Sequence, residues 1–422
     1  MGRIFSSKFC WGVAENTFSP VHILPFDDRF ECESEQPHVE LNNSDIAEMI
    51  KKSGANSFLF VLSWKAIIKN EKGEVNEQAV QYYKQMILEL KNKGLHITAA
   101  LLSFEVPPFL LKANGFTKRN AVSLFEYYSK VCFERFGQLV DNWITLYEPN
   151  HYVYFRGFLQ NGVKSRRKKL SEAILTAHNL LLAHGAAVRA FRSMELKGKI
   201  GIALSVIKFE PESAKPVDLI WARIINILMN KWFTEALSNG IYPFFTRLIM
   251  FLKGVKFHTR RRDMEVISSN LDFVSVSYYG KLRISHQSHI NEISDFTNAA
   301  IVDKDGFLTA CYNIHRQMHL PMYIIDNGLH TPPLDKSDAI KSDMSKINLI
   351  NTNITSIESL LLNWVDIRGY YICSLFDNYR YLSSSGKHTG LYYIDNNEII
   401  AKDSASAFSN IINKLTERKT DE

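Results

Sequence analysis

Eight short runs rich in β-branched and aromatic residues alternate with amphipathic stretches along the 422 residues, and this alternation constrains the fold more than any other feature. The runs are Phe9–Ala14, Ser57–Ser63, Ile97–Ser103, Trp143–Tyr147, Ile200–Ile207, Phe273–Tyr279, Met322–Asp326 and Tyr370–Phe376. Between them, Ile46–Lys52, Ala79–Lys93, Asn120–Phe136 and Ala173–Arg192 repeat apolar residues at helical spacing, the first opened by Ser44-Asp45 in the manner of a cap. Strand alternating with helix predicts a parallel sheet, and eight repeats are the number that closes a (β/α)8 barrel. The expectation is an α/β protein, a single TIM barrel over residues 1–422. No linker or composition break marks a second domain. The weakest order is expected at Lys253–Glu265, at His286–Asp305 and in a flexible tail over 414–422.

Bulk composition excludes more than it selects. A chain that is 46 % hydrophobic can bury a large core, and a formal charge of +6 is too small to argue for nucleic acid. Met1-Gly2-Arg3-Ile4-Phe5-Ser6 leads into a strand-like run with no apolar signal region. Gly2 with Ser6 fits a bare myristoylation pattern, without a polybasic run or second lipid signal beside it. The most apolar helical stretch, Val217–Phe233, is interrupted by Asp218, Arg223, Asn226, Asn230 and Lys231, so no transmembrane segment is expected. The cysteines, Cys10, Cys32, Cys132, Cys311 and Cys373, show no metal-type spacing and read as reduced residues of a cytoplasmic protein. Two basic clusters, Lys164–Lys169 and Lys256–Arg262, read either as solvated loops or as contacts for an anionic partner.

Two of the runs end at a carboxylate followed by turn residues. Trp143–Tyr147 stops at Glu148-Pro149-Asn150, and Pro321–Ile325 stops at Asp326-Asn327-Gly328. In a barrel such residues sit at the C-terminal rim, where the chemistry is done. Two carboxyls facing one pocket are the minimum equipment for cleaving a glycosidic bond.

Other segments fall into a family pattern in the right order. Phe9-Cys10-Trp11-Gly12, Leu62-Ser63-Trp64, Thr145-Leu146-Tyr147-Glu148-Pro149, Ala177–Gly185, Trp232-Phe233 with Gly240-Ile241-Tyr242-Pro243, Tyr323–Gly328 and Arg368–Asn378 carry it. On these segments the chain resembles glycoside hydrolase family 1, the β-glucosidase family of (β/α)8 barrels. The resemblance runs from about residue 8 to about residue 400. It implies a retaining mechanism in which Glu148 is the acid/base and Asp326 stands at the nucleophile position, with Tyr279 matching the family's catalytic Tyr. It implies no metal and no organic cofactor. His178 and His184 lie on the well-matched helix and are expected as packing residues.

The sequence also departs from that pattern. Asp326 is one methylene shorter than the family's Glu, which withdraws its carboxyl by roughly 1 Å, from a retaining gap of about 5–5.5 Å toward the ~6.5 Å where inverting enzymes begin. Misplacement of that size costs on the order of a hundredfold in rate. The family's sugar-holding Gln falls at Ser19, and the Arg that neutralises the nucleophile falls at Leu59. Its His falls at Ser103, with Phe104 for the neighbouring Trp. The Asn beside the acid/base becomes Tyr147, and the Asn before the catalytic Tyr becomes Ser277. In the last strand Trp becomes Cys373, and the following Glu-Trp pair becomes Arg380-Tyr381. At roughly 0.5–1.5 kcal/mol for each lost hydrogen bond, several kcal/mol of sugar alignment would go with them. Without an Arg at Leu59, desolvation would push Asp326 toward its neutral form, with Arg380 as a substitute counter-charge that would plug the pocket.

Three functional expectations follow. The first is a β-glycosidase of carbohydrate metabolism, weak or altered in activity, acting on O-glycosyl bonds. The second is an inactive pseudo-glycosidase reused as a binding or regulatory module, for which a protein partner is expected. The third is a protein that meets a membrane surface or anionic ligand through the clusters at Arg166 and Arg260. A small carbohydrate or phosphosugar is the expected ligand, with Ser383-Ser384-Ser385-Gly386-Lys387 offering hydroxyls and one Lys to a phosphate.

Overall fold

Strands β1 (Cys10–Glu15), β2 (Ser57–Val61), β3 (His96–Leu102), β4 (Asn142–Tyr147), β5 (Lys199–Pro211), β6 (Phe273–Ile284), β7 (Met322–Ile324) and β8 (Ile367–Cys373) form a closed barrel in sequence order. Every neighbouring pair is parallel, and β8 returns to β1 with Trp11 opposite Tyr370. The computed structural model describes residues 4–15, 42–154, 166–252, 259–286, 303–325, 342–377, 389–395 and 398–417. The strand reading is therefore borne out in number, order and type, which makes the fold a (β/α)8 barrel.

Period-two alternation along each strand sorts the side chains into two buried sets. One set, including Ala14, Leu59, Ala100, Tyr147, Ala203 and Ile325, packs together inside the barrel. The other, including Trp11, Val13, Phe58, Phe60, Ile97 and Trp143, faces the surrounding helices. Each fully buried Leu or Phe contributes about 1.5–3 kcal/mol, so the outer layer carries most of the hydrophobic stabilisation. Near the start of the strands, the Tyr371 hydroxyl shares hydrogen bonds with Ser57 Oγ at 2.7 Å and Thr98 Oγ1 at 3.1 Å. The Tyr371 ring lies where a Cβ on Gly12 would go, so only glycine fits there.

Several boundaries differ from the sequence reading. The first helix, Asn43–Lys52, is capped by Asn42, whose side chain accepts from Asp45 N at 2.9 Å. Ser44 thus lies inside the helix and caps nothing. The long helix spans Arg166–Ser193, so four of the six residues of the first basic cluster are helical rather than loop. A helix at Asp263–Ile267 and another from Lys304 both begin within segments expected to be weakly ordered. The last helix runs to Glu417, past the start of the expected tail. A two-stranded antiparallel hairpin, β9 (Tyr392–Asp395) with β10 (Glu398–Ala401), follows the barrel and was not anticipated.

The end of β8 is fastened by buried charge. Lys402 Nζ lies 2.5 Å from Asp377 Oδ1, both side chains fully buried, and the same oxygen accepts from Gly390 N at 2.8 Å. Lys346 donates nearby to the carbonyls of Thr389 and Cys373. Burial, then the charge of Lys402, lowers the Lys346 ammonium from its ordinary value to about 8.

Candidate active site

The site is built around the turn that ends β4. The β4–β5 register shifts between Ile144 and Tyr147, and Glu148 follows with φ of 57°, a left-handed conformation costly for a non-glycine residue. Glu148 N donates to Ala203 O on β5 at 2.9 Å, and Pro149 then starts the short helix Pro149–Tyr154. Asn150 locks that helix to β5. Its Nδ2 donates to the carbonyls of Ser205 (2.5 Å) and Met229 (3.2 Å), while its Oδ1 accepts from Ser205 N (3.2 Å) and Ser205 Oγ (3.0 Å).

This geometry buries the Glu148 carboxylate, which is 1 % exposed, among aromatic and polar partners. The Tyr279 hydroxyl donates to both oxygens, at 2.9 Å to Oε1 and 3.0 Å to Oε2. His151, one helical turn after Glu148, brings Nδ1 to 3.2 Å from Oε2. The His151 ring is flanked by Phe104 (centroids 5.4 Å apart, edge-on) and by Tyr279 (5.5 Å). Glu148 is thus a carboxylate with donors aimed at it in a largely dry setting, which suits proton transfer or the binding of a hydroxyl-rich ligand.

Of the residues singled out in the sequence, the structure brings Glu148 and Tyr279 into direct contact. Ser103 and Ser277 are buried, and Ser277 Oγ finds no hydrogen-bond partner among the described residues. Tyr147 and Leu59 belong to the apolar cluster inside the barrel, together with Ile325. Ile325 is fully buried and its N donates to Val276 O at 2.9 Å, so the chain leaves β7 at the same rim as Glu148. Asp326 comes next and lies outside the described residues, as do Ser19, Arg380, Tyr381 and the Ser383–Lys387 segment.

His178 and His184 are packing residues. His178 bridges Tyr242 (2.8 Å) and Asp263 (3.1 Å), and His184 shares a 2.5 Å hydrogen bond with Thr145. Burial lowers the His184 imidazole to about 3, so it stays neutral. The sequence reading missed His151 and Asn150. The signal for both was their place in the turn and a half after Glu148, where a helix starting at Pro149 returns the residue at i+3 to the carboxylate. Among the described residues no group of three or more His, Cys, Asp or Glu converges as metal ligands would, and no helix is long and apolar enough to cross a membrane.

Residues 36–417 match the model of glycosyl hydrolase family 1. A 1,4-beta-D-glucan glucohydrolase of Thermotoga neapolitana is 28 % identical over 384 residues, 88 % of this chain and 86 % of that one. A 6-phospho-beta-glucosidase, GmuD, of Bacillus subtilis is 25 % identical over 380 residues, 84 % and 81 % of the two chains. Among solved structures, a beta-glucosidase from Exiguobacterium marinum superposes with a TM-score of 0.83 at 25 % identity, covering 97 % of this chain and 99 % of the other. With the closed barrel, the acid at the end of β4 and this match over most of its length, the chain belongs to glycosyl hydrolase family 1.

Proposed function

We propose that this protein is a β-glycosidase of weak or altered activity in which Glu148 is the proton-transferring acid/base and Asp326 stands at the nucleophile position. The observation that carries the reading is the buried Glu148 carboxylate, held in a left-handed turn with Tyr279 and His151 against it. In the forward step Glu148 gives its proton to the glycosidic oxygen as the bond to the anomeric carbon breaks. Asp326 attacks that carbon, and water deprotonated by Glu148 later releases the sugar; or, with its shorter reach, Asp326 takes the proton from a water that attacks in its place. Tyr279 and His151 set the orientation of the Glu148 oxygens, and one of those contacts must yield when the proton is delivered.

Weak turnover is supported by Leu59. This residue, where the family pattern has a counter-charge for the nucleophile, is fully buried in an apolar cluster with Ile325, directly before Asp326. Slow hydrolysis of activated aryl β-glycosides is expected, and Glu148→Gln should abolish it. If a broad panel of aryl glycosides and their 6-phosphates shows no turnover above buffer, the catalytic reading is lost.

The same Leu59 favours a second reading, a pseudo-glycosidase whose barrel binds a carbohydrate or phosphosugar without cleaving it. Here a ligand would raise the melting temperature, and Glu148→Gln with Asp326→Asn would leave that shift intact. Covalent labelling of Asp326 by a fluorinated glycoside inactivator, read by intact mass, would rule this second reading out.

A further inference from the structure

The helix Phe244–Leu252 turns apolar side chains outward. Phe244 is 66 % exposed, Leu248 37 % and Phe251 80 %, and their spacing of i, i+4 and i+7 places them on one face. Phe245 beside them is also exposed, while Thr246 is the buried anchor. Arg247, at i+3 from Phe244, emerges on the same face and is exposed. An amphipathic helix normally keeps its apolar stripe against the core; this one presents it to solvent.

Positive charge is linked to the entry of this helix. Tyr242, two residues before the helix, shares a hydrogen bond with His178, whose other nitrogen meets Asp263. Asp263 also accepts from Arg260 N (2.8 Å) and takes both arms of Arg119. This chain of bonds fastens the entry of the helix to the exposed turn Arg260-Arg261-Arg262. The neighbouring acids are already engaged, Asp263 buried beneath Arg119 and Glu265 paired with Arg189. The outward charge of the region is therefore positive.

We propose that this face docks the protein on an anionic lipid bilayer, with Phe244, Leu248 and Phe251 entering the headgroup boundary and Arg247 and Arg260–Arg262 lying over acidic headgroups. Aromatic and leucine side chains on one helical face, with arginines at its margin, are the composition of a helix that lies in a membrane interface. Hydrocarbon accepts protruding Phe side chains without a shaped partner, and acidic headgroups sit at the level where the arginines emerge. That is why the surface fits a bilayer better than a protein.

The test is co-sedimentation of the full chain with vesicles of phosphatidylcholine alone and of phosphatidylcholine with about 30 % phosphatidylserine, at physiological salt. Binding to the anionic vesicles alone is expected. It should fall about tenfold or more in Phe244→Ser/Phe251→Ser and roughly thirtyfold in Arg260→Gln/Arg261→Gln, with circular dichroism unchanged. Absence of binding overturns the proposal. Binding indifferent to the Phe substitutions does so too, since net positive charge alone would then explain it. A wild-type dimer in solution that the Phe variants dissolve would also overturn it, by giving the face to a second copy.

Discussion

Lys402→Met tests the buried ion pair that follows β8. The ammonium of Lys402 meets Asp377 at 2.5 Å with both side chains fully buried, and Gly390 N donates to the same carboxylate oxygen. Asp377 and Gly390 stand on either side of residues 378–389, the stretch in which Arg380 and Tyr381 were expected to face the sugar. Methionine keeps most of the volume but removes the ammonium that pairs with the buried Asp377 carboxylate, at a cost of about 3–5 kcal/mol. Unfolding entropy near 2.1 cal/mol/K per residue gives about 0.9 kcal/mol/K for 422 residues, so the melting temperature should drop by about 3–6 °C. Scanning calorimetry at one fixed heating rate, with urea titration as a second measure, would read it. The double variant Lys402→Met/Asp377→Asn removes the charge that Lys402 had balanced and should recover a good part of the loss. A single variant within 1 °C of wild type would refute the reasoning. A double variant no better than the single would show that packing, not charge, sets the cost.

Two further outcomes follow from the same kind of reasoning. Tyr279→Phe removes the hydroxyl that donates to both oxygens of the buried Glu148, and should cost about 1.5–3 kcal/mol in urea unfolding; a loss below about 0.5 kcal/mol would mean the bond contributes nothing. Lys346 has its ammonium lowered to about 8 by burial and then by Lys402, so between pH 8 and 10.5 the unfolded chain holds the proton more often. Stability of the wild type relative to Lys346→Met should therefore rise by roughly 2 kcal/mol from pH 8 to pH 10, and a flat or falling difference would contradict the assignment.

The barrel was legible because each strand is a short apolar run between helical patterns, and a lumen buried on all sides leaves that signal undiluted. The end of β4 was legible for a similar reason. Glu148 follows an unbroken run from Trp143 to Tyr147 and precedes a proline, so strand end, turn and helix start are all written locally. His151 was overlooked because a six-residue helix is too short to show a period, which left only its place three residues after Glu148 as a signal. The helical start at Arg166 was hidden by its own charge. A run of Lys and Arg reads as a solvated loop, although both residues have good helix propensity. Hairpin β9–β10 follows the last barrel strand, where a repeat of strand and helix gives no expectation of an antiparallel pair.

Glu148 is where local preference and tertiary structure disagree most. A left-handed glutamate costs on the order of 1–3 kcal/mol, and the sequence makes no concession to it, since glycine or asparagine would sit there more easily. The strain persists because the surroundings over-determine it. Glu148 N is taken by Ala203 O, Pro149 fixes the next φ, and Asn150 is tied at both ends of its amide to the β5 and Met229 backbone. A turn needed only to join β4 to a helix has no use for that arrangement. A turn that must hold a buried carboxylate under Tyr279 and beside His151 does, because any relaxed conformation would swing the side chain away from both. The apolar cluster at Leu59 and the guarded carboxylate at Glu148 thus pull in opposite directions, and the proposed weak β-glycosidase rests on that contrast.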